Sequence, residues 1–378
     1  MDKLSDIISV KGLYFSMAFY VGLWTVRIPT IKDQLNTDYL GIGFVFTTFA
    51  IGSLLAMIVA NYFIKKYSSK FIILLAMIIQ ALLWLLVSFI NSVEIFMILS
   101  FTFGICFGIF EVAINLQAAK IEIREKKSMM SGFHVFWSLG VLFGAILTSL
   151  FLQWQISIFN NIIIYLVFLI PFSFFCSISL SRDSLSTNSD KKNIFFVWPT
   201  LIFLLVLLSI GNALVEGGVD SWGALYMKDV IGVNGFNVGI ATIFFNISMV
   251  IGRFSGDYLR DRLGVYFFIN ILLFLCLIGI LIILYFENLI FAIIGFSILG
   301  LGISSIVPLA YSLASKVEGI ESAVGITIIS IAVYGIFMVA PAALGILANL
   351  YGVSFVFAPM FVVSLICILT INFYKNKL

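Results

Sequence analysis

Runs of about twenty consecutive apolar residues recur along almost the whole of this 378-residue chain. A helix of about 20 apolar residues crosses the hydrocarbon core of a bilayer, which is about 30 Å thick. The chain is 62% hydrophobic and 10% charged, whereas soluble domains are roughly half apolar and a quarter charged. The pattern predicts an all-α integral membrane protein with twelve transmembrane helices. Their approximate bounds are 8–27, 39–63, 70–90, 95–119, 130–152, 158–180, 195–225, 236–256, 266–286, 289–313, 322–348 and 353–374.

Basic side chains are distributed unequally between the two ends of these segments. They follow the even-numbered helices and occupy both termini, whereas Arg27, Lys32 and Lys228 lie at the opposite ends. Because the cytoplasmic loops of membrane proteins carry the excess of Lys and Arg, both termini are predicted to be cytoplasmic. The formal net charge of +3 therefore reflects orientation in the bilayer, and no nucleic acid partner is expected.

A polar stretch at the middle of the chain divides the predicted helices into two sets of six. It reads SRDSLSTNSDKKN and predicts a cytoplasmic linker over 181–194, between an N-terminal bundle (1–180) and a C-terminal bundle (195–378). A shift of 196 residues superimposes Gly43 on Gly239, Gly104 on Gly300, Ala118 on Ala314, Lys120 on Lys316 and Glu122 on Glu318. This offset indicates two parallel, pseudo-symmetric six-helix repeats, an arrangement known from transporters.

The segment GRFSGDYLRDRLG, residues 252–264, resembles the loop signature of the major facilitator superfamily. Asp261, Arg262 and Gly264 match the end of that signature, and Asp257 stands where it has a glycine. With twelve helices and a central linker, the resemblance covers the whole chain. It implies the major facilitator fold, alternating access and a bacterial cytoplasmic (inner) membrane location. It also implies gating by residues at the cytoplasmic end of helix 8, namely Arg253, Asp257, Asp261 and Arg262.

The segment GIFEVAINLQAAK places Glu111 and Asn115 four residues apart in predicted helix 4. This pair resembles the fucose permease branch of the superfamily, in which a helix 4 glutamate takes part in proton coupling. FHVFWSLG (133–140) occupies the position of that branch's helix 5 motif, and EGGVDSWGALY (216–226) resembles helix 7 of a bacterial subgroup near it. A charged carboxylate is costly at bilayer depth, which suits a group that binds and releases protons. The alternative is a structural hydrogen bond between helices.

Predicted helix 7 carries a polar stripe of Asn212, Glu216 and Asp220 at positions i, i+4 and i+8. The glycines interspersed with this stripe predict that the outer part of the helix kinks or unwinds and lines a cavity. Glu216 and Asn212 are candidates for contact with a proton or a substrate, with a structural pair as the alternative. Asp220 is expected near the outer mouth, either at the cavity or as an ordinary solvated acid.

Other candidates stand singly. His134 is the only histidine of the chain, and it is either a proton relay or a structural residue near a helix start. Arg27 either attracts an anion at the outer entrance or extends its head group to the membrane interface. Gly140 and Gly144 predict close packing of helix 5. Aromatic side chains that could stack on a sugar ring are Trp24, Trp137, Trp222 and Tyr311.

The sequence contains no catalytic, nucleotide-binding or metal-ligand motif, so it predicts neither an enzyme nor a cofactor. The interpretation that fits best is a monomeric secondary transporter that imports a small polar solute, a sugar or a related organic molecule, together with protons. Sodium coupling is an open alternative. A further alternative is a proton-coupled exporter or antiporter of drugs, siderophores or metabolites.

Overall fold

The computed structural model describes residues 3–126, 129–180, 199–314, 317 and 322–375. Every regular element in these ranges is helical. The α-helices are α1 (Lys3–Gln34), α2 (Tyr39–Tyr67), α3 (Ser69–Val87), α4 (Val93–Glu125), α5 (Met130–Gln153), α6 (Ile158–Ile178), α7 (Thr200–Asp229), α8 (Ile240–Leu263), α9 (Val265–Tyr285), α10 (Leu289–Ile303), α11 (Ile306–Ala314), α12 (Ser322–Tyr351) and α13 (Ala358–Phe373). Short 3-10 helices cover Gly235–Gly239 and Val353–Phe357.

Twelve spans in the described part of the chain are long and apolar enough to cross a membrane. They run from 19 to 30 residues, which matches the length that a bilayer core requires. The prediction of twelve transmembrane helices is therefore confirmed. The largest difference in bounds is at α1, which ends at Gln34 and not near residue 27, because polar residues beyond the apolar run continue the helix.

The chain divides into two compact units. The first contains Met1–Ser186 with Asn234–Gly239, and the second contains Thr187–Val233 and Ile240–Leu378. In the first unit the most extensive packing is α2 on α4 and α1 on α5; in the second, α9 and α8 on α10, and α12 on α7, are prominent. The predicted linker, 181–194, lies outside the described residues.

A pair of glycines shows that the two units repeat the same helix crossing. A Cβ atom on Gly104 of α4 would overlap the carbonyl oxygen of Phe49 in α2. A Cβ atom on Gly300 of α10 would overlap the carbonyl oxygen of Phe245 in α8. The glycine and the phenylalanine of the second crossing each lie 196 residues after their counterparts in the first, which is the offset that the sequence repeat predicts. Backbone contact of this kind requires glycine, which explains why these positions coincide.

Helix α5 lies against α1 through the two glycines that the sequence analysis selected. Cβ atoms on Gly140 and Gly144 would overlap the carbonyl oxygens of Phe15 and Phe19, respectively. The predicted close packing is confirmed. It holds α1 and α5 at backbone contact, so side chains from both helices can meet beside α4.

The broken helix of the second unit is not the one that the sequence suggested. Helix α7 is continuous from Thr200 to Asp229, so the predicted unwinding is wrong. Its glycines serve packing instead, since Cβ atoms on Gly217 and Gly218 would meet the side chains of Phe337 and Met360.

The break occurs in the tenth span, at Ser304 and Ser305, between α10 and α11. The Ser304 hydroxyl donates to the carbonyl of Leu301 at 2.8 Å, and the Ser305 hydroxyl donates to that of Gly252 in α8 at 3.3 Å. Serine hydroxyls that bond to nearby carbonyls compete with the helix ladder, which explains why the helix stops here.

Candidate functional site

Helix α4 of the first unit carries a linked acid and amide. The side chain of Asn115 donates through Nδ2 to Oε1 of Glu111 at 2.9 Å and to the Glu111 carbonyl oxygen at 2.8 Å. The two residues are one turn apart and share a face, as their spacing predicts. Both are half-buried. The carboxyl group of Glu111 is thus oriented by a neutral amide within a transmembrane span.

Tyr14 of α1 completes this set. Its hydroxyl donates to Oδ1 of Asn115 at 2.7 Å, and the side chain is fully buried. The Asn115 amide is therefore held at both ends, by Tyr14 on one side and by Glu111 on the other. Sequence reasoning missed Tyr14, because a tyrosine in an apolar run has no distinguishing pattern until α1 and α4 are packed together.

Helix α5 adds two of the predicted residues to the same region. The ring of His134 lies 5.3 Å from the ring of Tyr14, measured between centroids. Trp137, one turn further along, packs edge-on against Phe107 of α4 at 6.0 Å. Both side chains are half-buried. The first unit therefore brings together four predicted residues, Glu111, Asn115, His134 and Trp137, and the unpredicted Tyr14.

The second unit contains an ion pair between α7 and α8. Nη2 of Arg253 lies 3.5 Å from Oε1 of Glu216, and their side chains are 17% and 26% exposed. Asn212 donates through Nδ2 to Oε2 of Glu216 at 3.3 Å. Nε of Arg253 donates to the carbonyl oxygen of Ser304, at the break of the tenth span, at 3.3 Å. These contacts are long, so the pair is held but not tightly fixed.

Asp220 lies one turn beyond Glu216 on the same face of α7. Its Oδ1 atom is shut off from solvent and has no hydrogen-bond partner among the described residues. The expectation of an ordinary solvated acid is therefore wrong for this oxygen. The Oδ1 atom of Asn212 is buried in the same way.

Arg27 does not extend its head group into solvent. It is 3% exposed and donates through Nε to Oδ1 of Asn161 at 3.1 Å and through Nη2 to the carbonyl oxygen of Ile156 at 2.7 Å. Both proposed roles, an interfacial anchor and an attractor of anions, are corrected by this geometry. The guanidinium instead ties α1 to the start of α6, because the longer α1 places it inside the protein.

The remaining aromatic candidates pack with neighbours. Trp24 stacks on Phe96 at a centroid distance of 6.2 Å. Trp222 is fully buried, so its ring offers no surface on which a solute could stack. The hydroxyl of Tyr311 is 3.1 Å from that of Ser330. These contacts describe packing within each unit.

The gating candidates lie at the end of α8. Asp261 is exposed and pairs with Arg260 at 2.8 Å. Arg262 lies over the ring of Tyr258 at 5.3 Å from the centroid. The side chain of Asp257 lies outside the described residues. Across the described chain, no cluster of three His, Cys, Asp or Glu residues could hold a metal ion.

Twelve apolar spans in two compact units define a multi-pass membrane protein, and acids inside the spans of both units are typical of proteins that move solutes or ions. The family model of the Major Facilitator Superfamily matches residues 12–319. The chain belongs to this superfamily. The expectation drawn from the helix 8 loop signature is thus confirmed, and the protein transports a small molecule across a membrane.

Curated relatives extend over nearly the same length. An uncharacterised transporter of the superfamily from Yersinia pestis is 28% identical over 358 residues, covering 94% of this chain and 92% of its own. Membrane protein MosC of Rhizobium meliloti is 25% identical over 358 residues, covering 93% of this chain and 86% of its own.

Solved structures show the same fold at low sequence identity. The nucleoside transporter NupG has a TM-score of 0.73 and 13% identity, with 98% of both chains covered. A bacterial homologue of the human lysosomal transporter Spinster, in an inward-facing and occupied conformation, has a TM-score of 0.72 and 14% identity. The alignment covers 98% of this chain and 96% of that one.

Proposed function

We propose that the protein is a proton-coupled symporter that imports a small polar solute across the bacterial cytoplasmic membrane by alternating access. The observation that carries this proposal is the hydrogen-bonded set of Tyr14, Asn115 and Glu111, which sits inside transmembrane spans. The excess of basic residues at one set of helix ends supports an orientation with both termini in the cytoplasm.

Glu111 has the surroundings that a proton carrier requires. A carboxylate within a span is costly when ionised and inexpensive when neutral. The amide of Asn115 donates to this carboxyl group at 2.9 Å, and a carboxyl oxygen can accept such a hydrogen bond in either protonation state. Glu111 is half-buried, which gives a proton access to it. We therefore assign the exchange of the coupled proton to this carboxyl group.

The neighbouring groups suit a hydroxylated ring. Asn115 and Glu111 offer hydrogen-bonding atoms, and the half-buried ring of Trp137 offers a flat apolar surface. Sugars and nucleosides combine polar edges with faces that stack on aromatic rings. The fold similarity to NupG, a nucleoside transporter, adds nucleosides to the sugars and related molecules already considered.

The second unit contributes a matching polar stripe. Asn212 and Glu216 lie one turn apart on α7 and are candidates for solute contact, with Arg253 holding Glu216. Arg253, Asp257, Asp261 and Arg262 occupy the last turns of α8, where changes of pairing would favour one conformation over another. We assign them a role in gating and none in the choice of solute.

The test is the internal pH of proteoliposomes challenged with sugars, nucleosides, organic acids and amphipathic cations. Addition of the correct solute should acidify the vesicle lumen. Glu111→Gln should abolish solute accumulation against a gradient while leaving exchange of solute for solute. Glu94→Gln, at the exposed start of the same helix, is the matched control and should behave as the wild type.

Other outcomes would identify a different transporter. Export of protons on addition of cations would establish the antiporter alternative. Solute flux that depends on sodium and moves no protons would show that sodium, and not the proton, is the coupling ion. Normal accumulation by Glu111→Gln would make Glu111 a structural residue.

A further inference from the structure

We propose that Asp220 carries a second exchangeable proton, so that about two protons accompany each solute molecule, one on Glu111 and one on Asp220. This inference rests on the proposed function and adds a coupling site in the second unit. Asp220 lies within the span Thr200–Asp229.

One oxygen of the Asp220 carboxyl group lacks the partners that an ionised acid needs. The side chain is half-buried, and its Oδ1 atom is shut off from solvent and receives no hydrogen bond from the described residues. A carboxylate inside a membrane protein is retained when it pairs with a cation or accepts hydrogen bonds. A buried oxygen without either favours the neutral acid. The surroundings of Oδ1 therefore favour a proton on Asp220 in this conformation.

Few charged groups are available to change that state. Helices α9 to α13 contain no Asp, Glu, Lys, Arg or His. On α7, the charged residues besides Asp220 are Glu216, one turn earlier, and Lys228 and Asp229 at the end of the helix. On α8, Arg253 points to Glu216, and the other charged residues lie nearer its cytoplasmic end. Among the described helices of this unit, Asp220 thus has the like charge of Glu216 one turn away, and the cation of α8 that lies nearest Glu216, Arg253, pairs with that residue.

The arrangement of Arg253 supplies a way to release the proton. Its contacts to Glu216 and to the Ser304 carbonyl are both long, at 3.5 and 3.3 Å. Side chains one turn apart on a helix are neighbours, so a guanidinium that reaches Glu216 can move toward Asp220. Asp220 keeps its proton while the solute is bound. After the solute has left on the cytoplasmic side, Arg253 moves to Asp220. The O–H bond of Asp220 then breaks, a water molecule on that side accepts the proton, and the carboxylate pairs with Arg253.

A second observation points to rearrangement between α7 and α8. The hydroxyl of Thr242 on α8 is fully buried and also has no hydrogen-bond partner in the described part of the chain. The two helices approach closely here, since a Cβ atom on Gly223 would lie 3.1 Å from that of Ala241. Buried polar groups without partners are rare in native proteins. Their presence on both helices is explained if they gain partners in another conformation of the transport cycle.

The experiment is a measurement of coupling stoichiometry in proteoliposomes, from the pH gradient that just balances a known solute gradient. The wild type should give about two protons per solute and Asp220→Asn about one. Asp229→Asn makes the same change at an exposed position of the same helix and should keep the wild-type value. A wild-type value of about one, or an unchanged value in Asp220→Asn, would overturn the inference and leave the proposed function standing.

Infrared difference spectroscopy of the wild type covers the case in which Asp220→Asn does not transport. The solute-bound wild type should show the carbonyl stretching band of a neutral carboxyl group, and this band should be weaker in Asp220→Asn. An equal band in the two proteins would show that Asp220 does not hold the proton and would overturn the inference. Solute flux with no proton movement in the wild type would overturn the proposed function itself.

Discussion

Replacement of Tyr14 by phenylalanine isolates the hydrogen bond that organises the first unit. The substitution keeps the ring, which is fully buried, and removes only the hydroxyl that donates to Asn115 Oδ1 at 2.7 Å. Since no water replaces a fully buried hydroxyl, the amide oxygen loses its donor. A buried acceptor left without a partner costs about 1–3 kcal/mol, and a typical hydrogen bond contributes about 0.5–1.5 kcal/mol. Asn115 is half-buried, so we expect the loss of this hydrogen bond to cost about 1–2 kcal/mol of free energy.

That free energy should appear in solute binding. Asn115 then keeps only its two hydrogen bonds to Glu111, so its amide is held less firmly and the solute must restore the arrangement. A loss of about 1–2 kcal/mol corresponds to a 5–30-fold change in an equilibrium constant. The half-saturating solute concentration for uptake into proteoliposomes should therefore rise about 5–30-fold in Tyr14→Phe.

Tyr20→Phe provides the control for this measurement. Tyr20 lies on the same helix, is 6% exposed and stacks on Trp84 at 5.7 Å, but its hydroxyl makes no hydrogen bond to the described residues. Its replacement should leave the half-saturating concentration within twofold of the wild type, since typical surface or neutral changes are about 0.5 kcal/mol or less. If Tyr14→Phe and Tyr20→Phe behave alike, the Tyr14 hydroxyl does not organise the site.

Two predictions concern stability. Arg27→Leu removes charged hydrogen bonds to Asn161 and the Ile156 carbonyl, each worth about 1.5–3 kcal/mol. The purified protein should therefore melt at a clearly lower temperature. An unchanged melting temperature would instead indicate an arginine at the membrane interface, which would tolerate the change. Gly300→Leu forces a side chain against the Phe245 backbone, and overpacking of this kind costs about 1–3 kcal/mol. The amount of folded protein on size-exclusion chromatography should therefore fall. An unchanged profile would contradict the backbone contact between α10 and α8.

The pair of Glu111 and Asn115 could be predicted from the sequence because its geometry is local. Positions four apart on a helix share a face whatever surrounds them, and a carboxyl group in an apolar run is conspicuous. Tyr14 could not be predicted, because its hydroxyl acquires a partner 101 residues away. The same holds for Arg27, whose acceptors, Ile156 and Asn161, lie 129 and 134 residues further along the chain.

The broken helix shows where local signals mislead. Glycines in α7 indicated a kink or an unwound segment, but each glycine meets a packing partner and the helix does not unwind. The sequence analysis selects neither Ser304 nor Ser305, yet the tenth span breaks at these residues, whose hydroxyls bond carbonyls of α10 and α8. Glycine weakens an exposed helix, whereas at a helix crossing it allows the neighbouring helix to approach closely.

By itself, the sequence determined the number of spans, their helical form and the repeat. A bilayer supplies no hydrogen bonds to the backbone, so an apolar run of sufficient length must form a helix. The tertiary structure alone decided which polar groups meet: Tyr14 with Asn115 and Arg253 with Glu216. It also left Oδ1 of Asp220 without a donor among the described residues. The reason is that the charge and hydrogen bonding of a polar group inside a span depend on neighbours from other helices, and helix packing sets those neighbours.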